Sequence, residues 1–264
     1  MAAGLALAAP LAAQTASAGG AKTEAAADAA ESKTGVRFVI CSAAGGKVPS
    51  PLFFEAKKGE YRQVRIASRI PSERIRPDSK QQICFYDQDP AAGEEEGAKG
   101  ASARPKKEEI KPVMVINVPA GTSSKALCIL VPNKNKPTEP AAYFVSESNL
   151  PSRGMHVINM SPYNVRMSTS ASGDFSDSKQ GLIRPLAANT RGIAKENMWT
   201  YTGGSVDNGV AFMLEYQPNP RDPKSWQRIK SSRFVYSDRQ AQVTVLVPDP
   251  RGKGVKMLSI QMTD

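Results

Sequence analysis

From Val36 onward the apolar positions recur at every second residue, in short runs closed by Gly, Pro, Asn or Asp. The first half carries VRFVIC (36–41), PLFFEA (51–56), YRQVRIA (61–67), QICFYD (82–87), VMVINV (113–118), ALCILV (126–131) and AYFVS (142–146). The second half carries MHVINM (155–160), VRMSTS (165–170), GLIRPL (181–186), VAFMLEY (210–216), SRFVYS (232–237), AQVTVLV (241–247) and VKMLSIQM (255–262). Segments of this length, rich in β-branched and aromatic residues, fit a pleated, half-buried surface and predict strands. Helical periodicity is almost absent; Pro185 to Glu196 has room for one turn. The expected fold class is all-β, a sandwich or barrel.

The two halves echo each other. QICFYDQDP (82–90) precedes KALCILVPNKN (125–135), and AFMLEYQPNP (211–220) precedes QAQVTVLVPDPRG (240–252). Each pair sets an aromatic-rich strand ending in a polar Pro-containing turn before an apolar strand closed by Val-Pro. VRFVICS and HVINMS likewise each open their half with a strand ending in serine. This predicts two tandem units, residues 35–150 and 151–264, divided near Leu150-Pro151-Ser152. One larger sandwich holding the same strands is the alternative. Inside the first unit, DPAAGEEEGAKGASARPKKEEIKP (89–112) has Ile110 as its one large apolar residue and reads as a mobile, charged insertion open to proteolysis.

The N-terminus changes the setting. Ala2 to Ala13 is an uncharged apolar run followed by Ala16-Ser17-Ala18, the pattern of a signal peptide h-region and an A-x-A cleavage site, so residues 1–18 read as a signal peptide. No Lys or Arg precedes the run, which suggests a start further upstream. The run is too short for the roughly 20 residues of a spanning helix. Residues 19–34 hold almost no large apolar side chain and read as a disordered linker. A periplasmic, secreted or cell-surface location follows, with no transmembrane segment in the mature chain.

Composition narrows the chemistry. A single histidine, His156, removes most Ser-His-Asp and Cys-His systems and any metal site with two histidines. Cys41, Cys84 and Cys128 lack the C-x-x-C spacing of a structural zinc site. Each lies in an apolar strand, where it serves either as a small buried hydrophobe or as one half of a disulfide. No metal, cofactor or catalytic residue is expected. His156 itself reads as a strand histidine, on the polar face or hydrogen-bonded to backbone. Asp174, Asp177, Asp207 and Glu215 are candidates for a glycosidase acid and base, but that chemistry needs a carboxylate separation that sequence does not supply.

The net charge of +10 is divided evenly, with +5 over 35–150 and +6 over 151–264, so there is no dedicated basic arm. Its densest cluster is Arg62, Arg65, Arg69, Arg74 and Arg76. Alternation sets Arg62 with Val64 and Ile66, and Arg65 on the other face with Tyr61. Of these, Arg62, Arg65 and Arg69 are candidate anion ligands, since guanidinium groups grip phosphate, sulfate or carboxylate bidentately; solvated strand edges guarded by charge account for them equally. Trp199, Tyr201 and Trp226 are candidate sugar-stacking residues, with core or rim packing as the alternative. No specific nucleic-acid motif is present, and the basic charge implies only nonspecific attraction of polyanions.

The segment HVINMSPYNVR (His156–Arg166) followed by GLIRPL (Gly181–Leu186), with WQRIKSSRF (Trp226–Phe234) and RQAQVTVLV (Arg239–Val247) later, resembles immunoglobulin-like domains of uncharacterised exported bacterial proteins. The likeness covers residues 155–247. It implies an Ig-like fold in an envelope setting and brings no catalytic residues; together with the echo between the halves, the expectation is two tandem Ig-like β-sandwich domains. The functional expectation is a non-catalytic secreted or periplasmic protein that binds or scaffolds, its partner a protein, an anionic envelope polymer or a glycan. The alternatives are a glycan- or polyanion-binding receptor and a small carboxylate-based hydrolase of the envelope.

Overall fold

A strand buried on both faces loses its alternation and reads as an apolar run. The computed structural model describes residues 34–42, 46–92, 110–151, 154–176, 178–202, 209–235, 240–252 and 254–263, and in it the most continuous runs have this status. β1 (Gly35–Ile40) and β6 (Lys125–Val131), with β7 (Ala141–Ser146), form one inner sheet in the order β1-β6-β7. β8 (Gly154–Asn159), β14 (Gln240–Pro248) and β15 (Val255–Thr263), with β11 (Met198–Tyr201), form the second inner sheet, in the order β11-β8-β14-β15.

Outside them lie the remaining strands. β2 (Leu52–Lys57) pairs with β3 (Glu60–Val64), and β4 (Gln82–Phe85) with β5 (Met114–Asn117), on the first-half side. β9 (Asn164–Ser170), β10 (Lys179–Ile183), β12 (Val210–Gln217) and β13 (Gln227–Phe234) form a four-stranded sheet, β10-β9-β12-β13, on the second-half side. Three buried clusters separate the four layers. Phe38, Cys128 and Leu130 face Leu52, Phe85 and Met114 in the first. Val39, Leu127 and Ile129 meet Ile158, Val243 and Val245 in the middle one. Met155, Val157 and Leu246 face Met167, Phe212 and Leu214 in the third. The protein is all-β; among the described residues there is no α-helix, only 3-10 turns at Glu147–Asn149 and Lys195–Asn197.

The connectivity repeats strand for strand. β1 pairs parallel with β6, and β6 antiparallel with β7; β8 pairs parallel with β14, and β14 antiparallel with β15. Ile75 bridges β1 at Val36 where β11 pairs with β8. The hairpins β2-β3 and β4-β5 take the places of β9-β10 and β12-β13. Contacts between the halves are reciprocal. In the first half the carbonyl of Arg69, shortly before Ile75, accepts the N–H of Gln261 on β15. In the second, Arg191 and Ile193, shortly before β11, bond the backbone of Phe144 on β7. The boundary expected near Leu150 falls between the repeats, yet Leu150 is itself buried in the middle cluster, and Ser32–Asp264 is one compact unit.

Two elements depart from expectation. β11 has no counterpart among the expected strands, since four residues (MWTY) carry too little pattern. β13 spans 227–234 rather than 232–237, because its exposed N-terminal part is charged and polar (QRIKSS) and shows no apolar alternation. The expected turn within 185–196 is the 3-10 turn at Lys195–Asn197, one residue beyond the expected end. The signal peptide and nearly all of the linker, with residues 93–109 of the insertion, lie outside the described residues.

Candidate functional site

The outer face of β10-β9-β12-β13 is built by register. Val165 and Met167 point into the third cluster, which turns Arg166 outward; Leu214 does the same for Glu215. Pairing sets Leu182, Arg166, Glu215 and Arg228 side by side across the four strands. Arg166 Nε donates to Glu215 Oε2 at 2.7 Å, with both side chains largely shielded. The Arg166 guanidinium also lies over the Trp226 ring, 4.5 Å from its centroid, an arrangement worth about 0.5–1 kcal/mol at an exposed site.

Trp226 is held there by the turn before β13. Ser225 Oγ donates to the carbonyls of Asn219 and Asp222, and Gln217 Nε2 donates to the Asp222 carbonyl. Tyr216 Oη donates to Gln227 Oε1 at 2.6 Å, and its ring meets Tyr163 with centroids 5.3 Å apart. Along this row Arg166 and the exposed Arg228 flank Glu215, with one aromatic plate already backed by a guanidinium.

The other sequence candidates are distributed elsewhere. Trp199 and Tyr201 stack at 5.9 Å with planes 9° apart, packed against the third cluster. The Trp199 indole lies over Gly181, where a Cβ would stand 2.4 Å from its Cδ1. This pair therefore closes the space between β10 and β11. On β3, Arg62 shares a face with buried Val64 and has Glu60 at 3.4 Å, while Arg65 is exposed just beyond the end of the strand. Arg69 is exposed at the junction between the halves. Arg74 forks onto Glu147, Nη1 to Oε1 at 2.9 Å, in a largely shielded pair. Arg74 is engaged structurally.

No protein-family model, curated protein or solved structure matches this chain.

His156 is fully buried on β8. Its Nε2 lies 2.9 Å from the Pro151 carbonyl, which only accepts, so Nε2–H donates and Nδ1 accepts from Thr200 Oγ1 at 3.1 Å. Burial pulls its pKa below the usual histidine value, against the opposing pull of the Pro151 bond, and keeps the ring neutral. Of its two sequence readings, the backbone-bonded one applies. The three thiols are free. Burial pushes Cys41 up to about 12 and raises Cys128, which faces the first cluster while Cys41 faces the middle one. Cys84 is half-buried, and burial followed by Asp78 and Glu55 raises its pKa.

Among the carboxylates weighed for acid–base work, Asp177 and Asp207 lie outside the described residues. Glu215 is committed to Arg166. Asp174 is exposed, and bonds from the Ser176 backbone and hydroxyl hold it below the ordinary carboxylate value, opposite to what a general acid requires. Among the described residues no three His, Cys, Asp or Glu side chains gather in a metal-sized group. The pairing of Trp226 with Arg166 was missed in sequence because 60 positions separate them. Alternation of VRMSTS against VAFMLEY was the available signal for an outward Arg166 and Glu215.

Proposed function

We propose that this is a non-catalytic secreted or periplasmic envelope protein that acts by binding or scaffolding, and that the Trp226 face is where it engages an anionic polymer or glycan. The observation that carries the reading is the row Arg166–Glu215–Arg228 beneath Trp226. A flat aromatic plate suits a pyranose ring, and the surplus of guanidinium over carboxylate suits acidic groups on it. The engaged state of Glu215 and the lowered Asp174 weigh against the hydrolase alternative.

We read each half as an Ig-like β-sandwich and the two as tandem domains, on the strength of the repeated strand order. The parallel pairs β1-β6 and β8-β14 are a departure from a purely antiparallel sandwich. Export rests on the N-terminal apolar run. Among the described residues no helix is long and apolar enough to cross a membrane.

Heparin serves as a probe polyanion. Retention of the full chain is expected to weaken on Trp226→Ala and on Arg228→Ala, and to fall steeply with salt because these charges are solvent-facing. Retention unchanged by both substitutions rejects this face as the site. Turnover of a glycan by the purified protein, abolished at one Asp or Glu, rejects the non-catalytic reading.

A further inference from the structure

The strip that begins at Trp226 continues along β9. Val165 and Met167 turn inward, so Arg166, Ser168 and Ser170 turn outward in succession. Four residues of strand set Arg166 and Ser170 about 13 Å apart. Ser168, midway, is fully buried, and its Oγ has no hydrogen-bond partner among the described residues. It is closed to a ligand, which leaves the two ends of the strip to make the contacts.

At the near end the Trp226 ring lies against Arg166, and the one carboxylate of that row, Glu215, is taken by Arg166 Nε. Arg228, next along the row, is exposed. A guanidinium in that position can take a carboxylate or sulfate.

The far end has a different character. A Cβ on Gly173 would stand 4.0 Å from that of Ala211, which faces outward opposite Ser170, so the β9–β10 connection reaches over this face. With Thr169 and Ser170 it forms a cavity of about 310 Å³. Among the described residues its lining is mostly hydroxyl-bearing, from Ser170, Ser172, Ser176 and Ser178, and its one charge is Asp174. Asp174 Oδ1 accepts the Ser176 N–H at 3.0 Å; this bond, with that of the Ser176 hydroxyl, holds the carboxyl below the ordinary value. Ionised at neutral pH, it accepts from sugar hydroxyls and repels a second acidic group.

Building on the Trp226 face as a glycan site, we propose that its ligand is a linear chain carrying both acidic and neutral sugars. A sugar ring lies on Trp226, an acidic group meets Arg228, and a neutral, hydroxyl-rich unit enters the Asp174 cavity. The span is longer than one sugar ring, so an oligosaccharide is required.

The full chain is titrated calorimetrically with three hexasaccharides: hyaluronan, which alternates glucuronate with N-acetylglucosamine; heparin, acidic at every unit; and neutral chitin. Hyaluronan is expected to bind several-fold more tightly than either of the others, and than its own disaccharide. Asp174→Lys should weaken the hyaluronan hexasaccharide several-fold, leave its disaccharide unchanged and narrow the gap to heparin. Ser172→Tyr, which fills the cavity, should weaken the hexasaccharide likewise, and Ser168→Ala should change nothing. If Trp226→Ala abolishes binding while Asp174→Lys and Ser172→Tyr leave the hexasaccharide untouched, the cavity has no part: the proposal falls and the Trp226 face stands. If none of the three substitutions matters, or no hexasaccharide binds at millimolar concentration, both fall. Heparin or chitin binding as tightly as hyaluronan also overturns the proposal.

Discussion

The two halves share one strand order and differ in their outer sheets. The second half closes its outer sheet with a full ladder and guards the outer strand, β13, with Arg228, Lys230 and Arg233. The first half leaves its outer sheet in two hairpins joined by one rung, and its corresponding strand, β5 (MVIN), has no charge and is flanked by Pro112 and Pro119. Charge and proline are two separate ways of discouraging edge-to-edge pairing. The central strands β6, β8 and β14, buried on both faces, tolerate little change in volume, and the inner sheets keep the shared order. Divergence is concentrated where one face meets water.

If the shared middle cluster ties the halves together, damage on one side should be felt on the other. Ile129→Ala removes three heavy atoms from a fully buried position in the first half and should cost about 2–5 kcal/mol. Both tryptophans lie in the second half, so their fluorescence reports on that half alone. A single denaturant transition, shifted to lower concentration and seen equally by tryptophan fluorescence and Cys128 accessibility, is the expected outcome. A tryptophan transition that stays in place would mean that the halves unfold independently.

The packing of the second half can be tested next. Gly181→Ala drives a methyl group into the stacked Trp199 indole and should cost about 1–3 kcal/mol, with a change in tryptophan emission. A neutral result would show that β10 and β11 can part without penalty. Arg166→Met strips the partner from shielded Glu215 and should cost about 1–2 kcal/mol, discounted for partial solvent access. Adding Glu215→Gln should recover part of that loss. Arg74→Met, which strips Glu147 in the first half, is the matched control, and a similar cost there would place both pairs in the same structural role.

The smallest effect concerns acidity. His156 has a depressed pKa in the folded chain, so the unfolded chain takes up a proton first as the pH drops. Its contribution is fully present above the unfolded value of about 6.5 and is lost as pH falls through the lower folded one. Denaturation midpoints between about pH 5 and 7.5 should slope downward toward acid, and His156→Gln should flatten that slope. An unchanged slope would assign the pH dependence to other groups.

Much of this architecture could be read from residue order. ALCILV and VTVLV were legible as strands because burial on both faces makes them continuous. The echo between 82–135 and 211–252 marks the correspondence of β4 and β6 with β12 and β14. Burial of Cys41 beside Val39 and of Cys128 beside Leu130 also follows from alternation. What escaped depends on register between distant strands. Nothing in WQRIK indicates that Arg166 will cover its tryptophan, and nothing in GMHVIN indicates that the Pro151 carbonyl will be the group that accepts the imidazole N–H. Least legible was the pairing of β2 with β4, which make a single rung at Phe53 and Tyr86 where β9 and β12 make seven.

The reciprocal bonds across the middle, Arg69 with Gln261 and Phe144 with Arg191 and Ile193, have the form of a twofold-symmetric dimer written into a single polypeptide. Separate subunits joined this way would fall apart on dilution, whereas one continuous chain holds its partners at a fixed effective concentration. Their assembly is thereby removed from mass action, so each outer sheet can specialise without needing to match an identical neighbour.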